Sequence, residues 1–199
     1  MLHTGSSPLL ALLRHSIAGA LLLLALVRPL HAGDNSPTAF AENEVKAAFV
    51  YNFAHFVRWP EGHSLRPGEP FRYCVLDDAL AVLLAKAVAG ETLDGHPLIV
   101  QRQPDPRNFQ ECHLIYFGDQ SAISPGTQTE LLRRLTGPIL TVSDQPGFAA
   151  RGGMITLTHK RGRIHPIINT DAIERTELRV SAKLLNLATL TRDGKGSAP

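Results

Sequence analysis

Cysteine, methionine and tryptophan are scarce in this chain, with two, two and one among 199 residues. The two cysteines, Cys74 and Cys112, form no CxxC, which argues against a redox centre of the thioredoxin type. An excess of one charge is also missing. Residues 1–32 hold two of the 20 basic side chains and none of the 18 acidic ones, so the rest of the chain carries 18 of each. The short runs Arg133-Arg134 and Lys160-Arg161-Gly162-Arg163 read as a helix end and a hairpin tip, and they offer no clustered cationic surface for a nucleic-acid backbone. Internal repeats are absent. Beyond the N-terminal region no apolar run is long enough to cross a bilayer.

The N-terminal region has a layout of its own. Arg14 and His15 precede Ser16–Val27, SIAGALLLLALV, a twelve-residue run without charge, and Leu30-His31-Ala32 follows with a small residue at a suitable cleavage point. That is the three-part pattern of a secretory signal peptide. Twelve helical residues rise only about 18 Å, too short for a hydrocarbon core of about 30 Å. The expectation is export, with residues 1–32 cleaved, 33–42 as a flexible lead-in, 43–191 as one domain and 192–199 as a loose tail.

Glu44–Pro60, EVKAAFVYNFAHFVRWP, concentrates five of the twelve aromatic residues in eleven positions. Phe49, Phe53 and Phe56 recur at i, i+4 and i+7 and share one helical face. Lys46, Asn52, His55 and Arg58 leave a narrow polar seam. Pro60 ends the helix. So apolar a helix needs cover on more than one side, from its own core or from a partner.

Strands and helices then alternate. Phe71–Leu76 reads as a buried strand, and Asp77 or Asp78 caps a helix over Ala79–Ala89 that stops at Gly90. Leu98–Arg102 follows the Asp94-Gly95 turn as a second strand, and Cys112–Phe117 is a third. A helix through Glu130–Leu135, starting late because of Pro125 and Gly126, precedes a fourth strand, Ile139–Val142. Met154–His159 and Arg163–Ile168 form a hairpin. A short helical piece at Asp171–Arg175 and an amphipathic helix over Leu178–Leu190 close the chain. This order predicts a three-layer α/β/α sandwich whose sheet is mostly parallel with an antiparallel edge.

Cys74 and Cys112 fall on the first and third strands, neighbours in the common 2-1-3 order of doubly wound sheets. They are a bridged pair or two small buried hydrophobes, and an exported chain with an even cysteine count favours the bridge. Catalytic patterns are weak. The histidines beyond residue 32 (His55, His63, His96, His113, His159 and His165) form no HExxH and no i, i+4 pair. His159 and His165 flank the hairpin but lack a third ligand for a metal. Ser143 at a strand end has no GxSxG elbow and reads as a turn or cap residue. Gly147–Met154, GFAARGGM, has the glycines and an Arg that could cradle an anion but matches no Walker or dinucleotide fingerprint, and Gly152-Gly153 read as shaping the entry to a strand. Asp77-Asp78 is placed like the acidic pair of receiver domains, but those are cytoplasmic.

Taken in order, AAFVYNFAHFVRWP (47–60), YCVL (73–76), CHLIYF (112–117), ILTVSDQPGFAARGG (139–153), Ile168-Asn169 and LRVSAKLLNL (178–187) resemble the YfiR family of exported proteins. The resemblance implies a three-layer α/β fold with no enzymatic activity and no cofactor. It further implies a periplasmic repressor that binds the sensor region of an inner-membrane diguanylate cyclase, or another membrane signalling protein, and keeps cyclic-di-GMP synthesis and biofilm formation low. An outer-membrane lipoprotein that sequesters the repressor is a further implied partner, and a homodimer is open. The family's cysteine pair on the first and third strands matches Cys74 and Cys112. A second pair known in that repressor has no counterpart around Ala149–Leu157 here, which removes redox control by a second bridge. As partner-binding residues we single out exposed-looking Arg58, Trp59, Phe148 and Arg151, since Trp and Arg anchor interfaces. The alternative class is a periplasmic small-ligand-binding sensor using the sheet-edge crevice near Asp77, Asp119 and Ser143.

Overall fold

The computed structural model describes residues 37–61, 65–119 and 121–193. The leader, the first part of the lead-in, His63 and the tail from residue 194 lie outside them.

Helix α1 covers Pro37–Phe56. Pro37 stands at its start, and no glycine or proline interrupts it before Pro60. It begins seven residues before Glu44, so residues 37–42, expected as lead-in, are helical. It stops at Phe56 because the next two residues, Val57–Arg58 (β1), pair antiparallel with Arg179–Val180 (β9). Ser181 N–H then donates to Phe56 O at 2.8 Å, supplying a partner for a helix-end carbonyl.

The main sheet is built from β2 (Phe71–Val75), β3 (Thr92–Leu93), β4 (His96–Arg102), β5 (Leu114–Phe117), β6 (Leu140–Ser143), β7 (Ile155–Lys160), β8 (Arg163–Asn169) and β10 (Thr189–Thr191). Its order is β10-β8-β7-β6-β5-β2-β4-β3. Strands β4, β2, β5, β6 and β7 run parallel, while β7–β8 and β3–β4 are antiparallel hairpins. The mostly parallel α/β sandwich follows, with the strand order reversing between β2 and β5.

The sheet divides the interior by alternation along its strands. Tyr73, Val75, Leu114, Tyr116, Leu140 and Val142 face a large core shared with α1, with α2 (Asp78–Val88) and with Leu184. Cys74, Leu76, Ile115, Phe117 and Ile139 face a smaller core with Phe109 and Phe148. That second side is covered by a 3₁₀ segment, Pro106–Glu111, and by α3, Pro125–Arg134. Pro125 sits at the N-terminal end of α3 behind the Ser124 cap, so the expected late start is corrected: proline initiates this helix.

The segment 178–190 is not one helix. Leu178 is buried, Arg179–Val180 is β9, Ala182–Leu187 is α5 and Thr189–Thr191 is β10. The Ser181 side chain caps α5 through Leu184 N–H, and pairing with β1 and β8 claims the flanks. A helical apolar period was present, but two edge ladders outweighed it. Between β8 and β9, α4 (Thr170–Glu174) is capped by Asn169, as the short helical piece expected there.

Candidate functional site

At the point where the strand order reverses, open α/β sheets leave a crevice at the carboxyl ends of their strands. Asp77 follows β2 there, Asp119 follows β5 and Asp144 follows β6. Here α1 fills that crevice. Lys46 Nζ lies 2.7 Å from Asp144 Oδ2 and 2.6 Å from Glu42 Oε1, and Glu42 also meets His159 Nε2 at 2.9 Å. The Asp119 amide donates to Asp144 Oδ1 at 2.9 Å.

Burial raises the Asp77 carboxyl, opposed by the Leu80 N–H it caps, and Asp144 and Asp119 raise it further. Gly118 allows the close approach, since a Cβ there would lie 2.5 Å from Asp77 Cβ. Burial works against the charge on Lys46, yet its bonds to Asp144 and Glu42 hold its pKa above the usual value. Burial, then Asp144, pushes the Tyr116 phenol well up.

Ser143 is fully buried, donating to Phe117 O at 2.6 Å and accepting from Gln145 N–H at 3.0 Å, which is the work of a turn residue. The crevice expected near Asp77, Asp119 and Ser143 is therefore occupied by the protein's own lysine. Lys46 was legible only as part of a polar seam, and nothing in its local sequence pointed across 98 residues to Asp144.

Of the open concave features among the described residues, two differ sharply in character. A cleft of about 820 Å³ between α3 and the turn Ala149–Arg151 is lined in part by Arg133, Arg151 and Arg175. A shallower apolar groove runs between α1 and α5, walled by Val45, Phe49, Phe53, Phe56, Leu184 and Leu187.

A family model described as YfiR/HmsC-like matches residues 43–189. The chain belongs to the YfiR/HmsC-like family. That family is regulatory, non-catalytic and periplasmic, and acts through contacts with membrane signalling partners. A solved structure titled as a conserved domain protein from Vibrio cholerae O1 biovar El Tor strain N16961 is 13% identical with a TM-score of 0.47, over 75% of this chain and 60% of that one. The chain thus spans about 60% of that relative's length. A likeness at this level says nothing of function.

In this YfiR/HmsC-like chain Cys74 and Cys112 are bridged, with Cα atoms 5.8 Å apart. Cys112 lies at the end of the 3₁₀ segment rather than in β5, which starts at Leu114. The bridge sits in the smaller core. Arg58 is exposed in β1. Trp59 is half-buried, edge-on to Phe71 at 5.0 Å.

Phe148 corrects the expectation of exposure: it is fully buried, with its ring 5.8 Å from that of Phe117. Gly153 makes room for it, because a Cβ there would fall 2.2 Å from Phe148 Cε1. Arg151 is half-buried and donates to Pro146 O at 2.8 Å and to Gln128 Oε1 at 3.3 Å. Phe148 and Arg151 thus hold the loop together, while Arg58 and Trp59 lie at the far end of α1.

Sequence reasoning also missed the use of Asn169. Fully buried, it caps α4 at Ala172 N–H and donates to Ala149 O at 2.8 Å, tying that loop to β8.

Proposed function

We propose that this protein is an exported regulator that binds the periplasmic sensor region of an inner-membrane diguanylate cyclase and inhibits it, lowering cyclic-di-GMP and biofilm formation. The observation that carries this reading is the YfiR/HmsC-like match over residues 43–189. The arrangement of the fold supports it. The crevice where an α/β protein of this strand order would bind a small molecule is closed by Lys46, and an apolar groove on the outside is left uncovered.

Cleavage of residues 1–32 belongs to the same proposal. The mass of the protein recovered from the periplasm checks it, and a mass that includes the leader contradicts it. The function itself is tested by titrating the purified protein into membranes that hold a GGDEF-containing membrane protein encoded nearby. The expected outcome is saturable loss of cyclic-di-GMP formation and co-purification of the two. Unchanged synthesis at saturating protein overturns the reading.

The cleft lined by Arg133, Arg151, Arg175 and Asp193 favours a second reading, a sensor module for a small polar ligand. That reading requires a ligand-dependent rise in melting temperature, which pure inhibition by contact does not.

A further inference from the structure

The uncovered face of α1 ends in a set of cations that the fold leaves unanswered. In the two-residue ladder of β1 and β9, Arg58 stands directly opposite Arg179. Both are exposed. Like charges directly opposite each other destabilise a strand pair. Lys183, exposed on α5, holds its Nζ 5.2 Å from the centroid of the Phe56 ring, and Phe56 lines the apolar groove. Among the described residues no carboxylate pairs with Arg58, Arg179 or Lys183, although six other arginines (102, 107, 133, 134, 175 and 192) each meet one. These three cations stand just past the Phe56 end of the groove, while other exposed cations without a carboxylate partner, such as Lys86, Lys160 and Arg161, lie elsewhere among the described residues.

The groove itself is apolar. Val45 and Leu187 expose 45% and 57% of their surface, and Phe53 forms a floor at 1%. Asn52, its one polar member, is spent on its own helix through Ala48 O at 2.7 Å. On α1 the exposed positions Ala41, Val45, Ala48 and Asn52 recur at helical spacing, so the face is a continuous seam. From Val45 to Phe56 it runs about 16 Å, some three helical turns. Its volume of about 230 Å³ is below the roughly 300 Å³ at which small-molecule pockets begin. A concave seam between two helices fits a third helix.

We infer that this face is the docking site for an acidic amphipathic helix of the protein partner: its apolar side lies between α1 and α5, and its carboxylates meet Arg58, Arg179 and Lys183. This rests on the regulatory reading above and names its surface. A second copy of the chain suits the site less well. The exposed acid on the α1 seam is Glu44, one carboxylate against three cations.

The test uses the intact protein and two labelled synthetic peptides of about 18 residues with the same leucine stripe, one with glutamates and one with lysines on its polar face. The glutamate peptide is expected to bind saturably, with affinity falling as salt rises from about 50 to about 500 mM. Arg58→Glu/Arg179→Glu and, independently, Lys183→Glu should each weaken it by about tenfold or more, and Leu187→Asp likewise. Equal binding of the two peptides, or variants that bind like wild type, overturns the proposal. So does binding to phosphatidylglycerol vesicles without binding to the glutamate peptide. So does a dimer that Leu187→Asp splits, since a second copy then covers the face.

Cyclase inhibition separates this proposal from the one beneath it. Inhibition by wild type that survives in Arg58→Glu/Arg179→Glu sinks the docking site and leaves the regulatory reading standing. Absence of inhibition by wild type sinks the regulatory reading, and the peptides still decide the chemistry of the groove.

Discussion

Asp77 carries two opposed duties, and they separate under substitution. Its side chain caps α2 by accepting from Leu80 N–H at 2.8 Å, while burial raises its carboxyl and disfavours the charged form. A carboxyl raised in the folded state contributes most at pH below its unfolded value of about 3.9, and that contribution is lost as pH climbs through the folded value. Asp77→Asn keeps the cap and removes the ionisation, so it should equal or exceed wild type in stability at pH 7, with the difference vanishing near pH 3. Asp77→Ala loses the cap and should fall below Asp77→Asn by about 1 kcal/mol, or roughly 2–4 °C in melting temperature. Thermal melts of the three proteins at pH 3 and pH 7 check both signs. Lys46 gives the complementary case. Its side chain and that of Asp144 are 9% and 6% exposed, so Lys46→Met strands a buried carboxylate and should cost about 3 kcal/mol in urea unfolding. Adding Asp144→Asn keeps an acceptor for the Asp119 amide and should recover most of that loss; a double variant as unstable as the single one would contradict the pairing. The cap by an aspartate near the start of α2 was readable from sequence because capping is local. The Lys46–Asp144 pair was not, because it joins residues 98 apart across two elements.

At the scale of elements, what was legible followed periodicity and punctuation. Buried runs with polar ends, such as Phe71–Val75 and Leu114–Phe117, were found as strands within two residues, and Asp94-Gly95 marked the β3–β4 hairpin turn. The misreadings arose where pairing across the fold overrode a local pattern, as β9 and β10 did on either side of α5. The loop Gly147–Gly153 shows a different limit. Gly152-Gly153 read as shaping the entry to a strand, and they do precede β7, but only the fold reveals that Gly153 makes room for a ring. Gly153→Ala would drive a Cβ into buried Phe148, and overpacking of that kind costs about 2 kcal/mol. Urea unfolding checks the value. A shrinking of the side chain in Phe148→Leu/Gly153→Ala should return part of it, and no recovery would mean that the backbone of the turn, not the ring, is the source of the loss.

The whole molecule is unequal on its two sides, and the disulfide lies on the thinner one. The large core is shared by α1, α2 and α5, whereas the other face of the sheet has α3, a 3₁₀ segment and a smaller apolar cluster that includes both cysteines. A small core gains proportionately more from a covalent tie. The bridge closes a separation of 38 residues, for which loop entropy gives about 4 kcal/mol. Cys74→Ser/Cys112→Ser, or reduction of the native protein, should therefore lower the unfolding free energy by about that amount. Calorimetry with and without reductant measures it. The two faces also predict what reduction leaves alone. The groove between α1 and α5 is on the opposite side of the sheet from the bridge, so a reduced protein that is still folded at 25 °C should bind the acidic peptide and inhibit the cyclase as the oxidised one does. Loss of binding well below the melting transition would show that the small core sets the geometry of the α1 face, and the bridge would then be part of the regulatory surface.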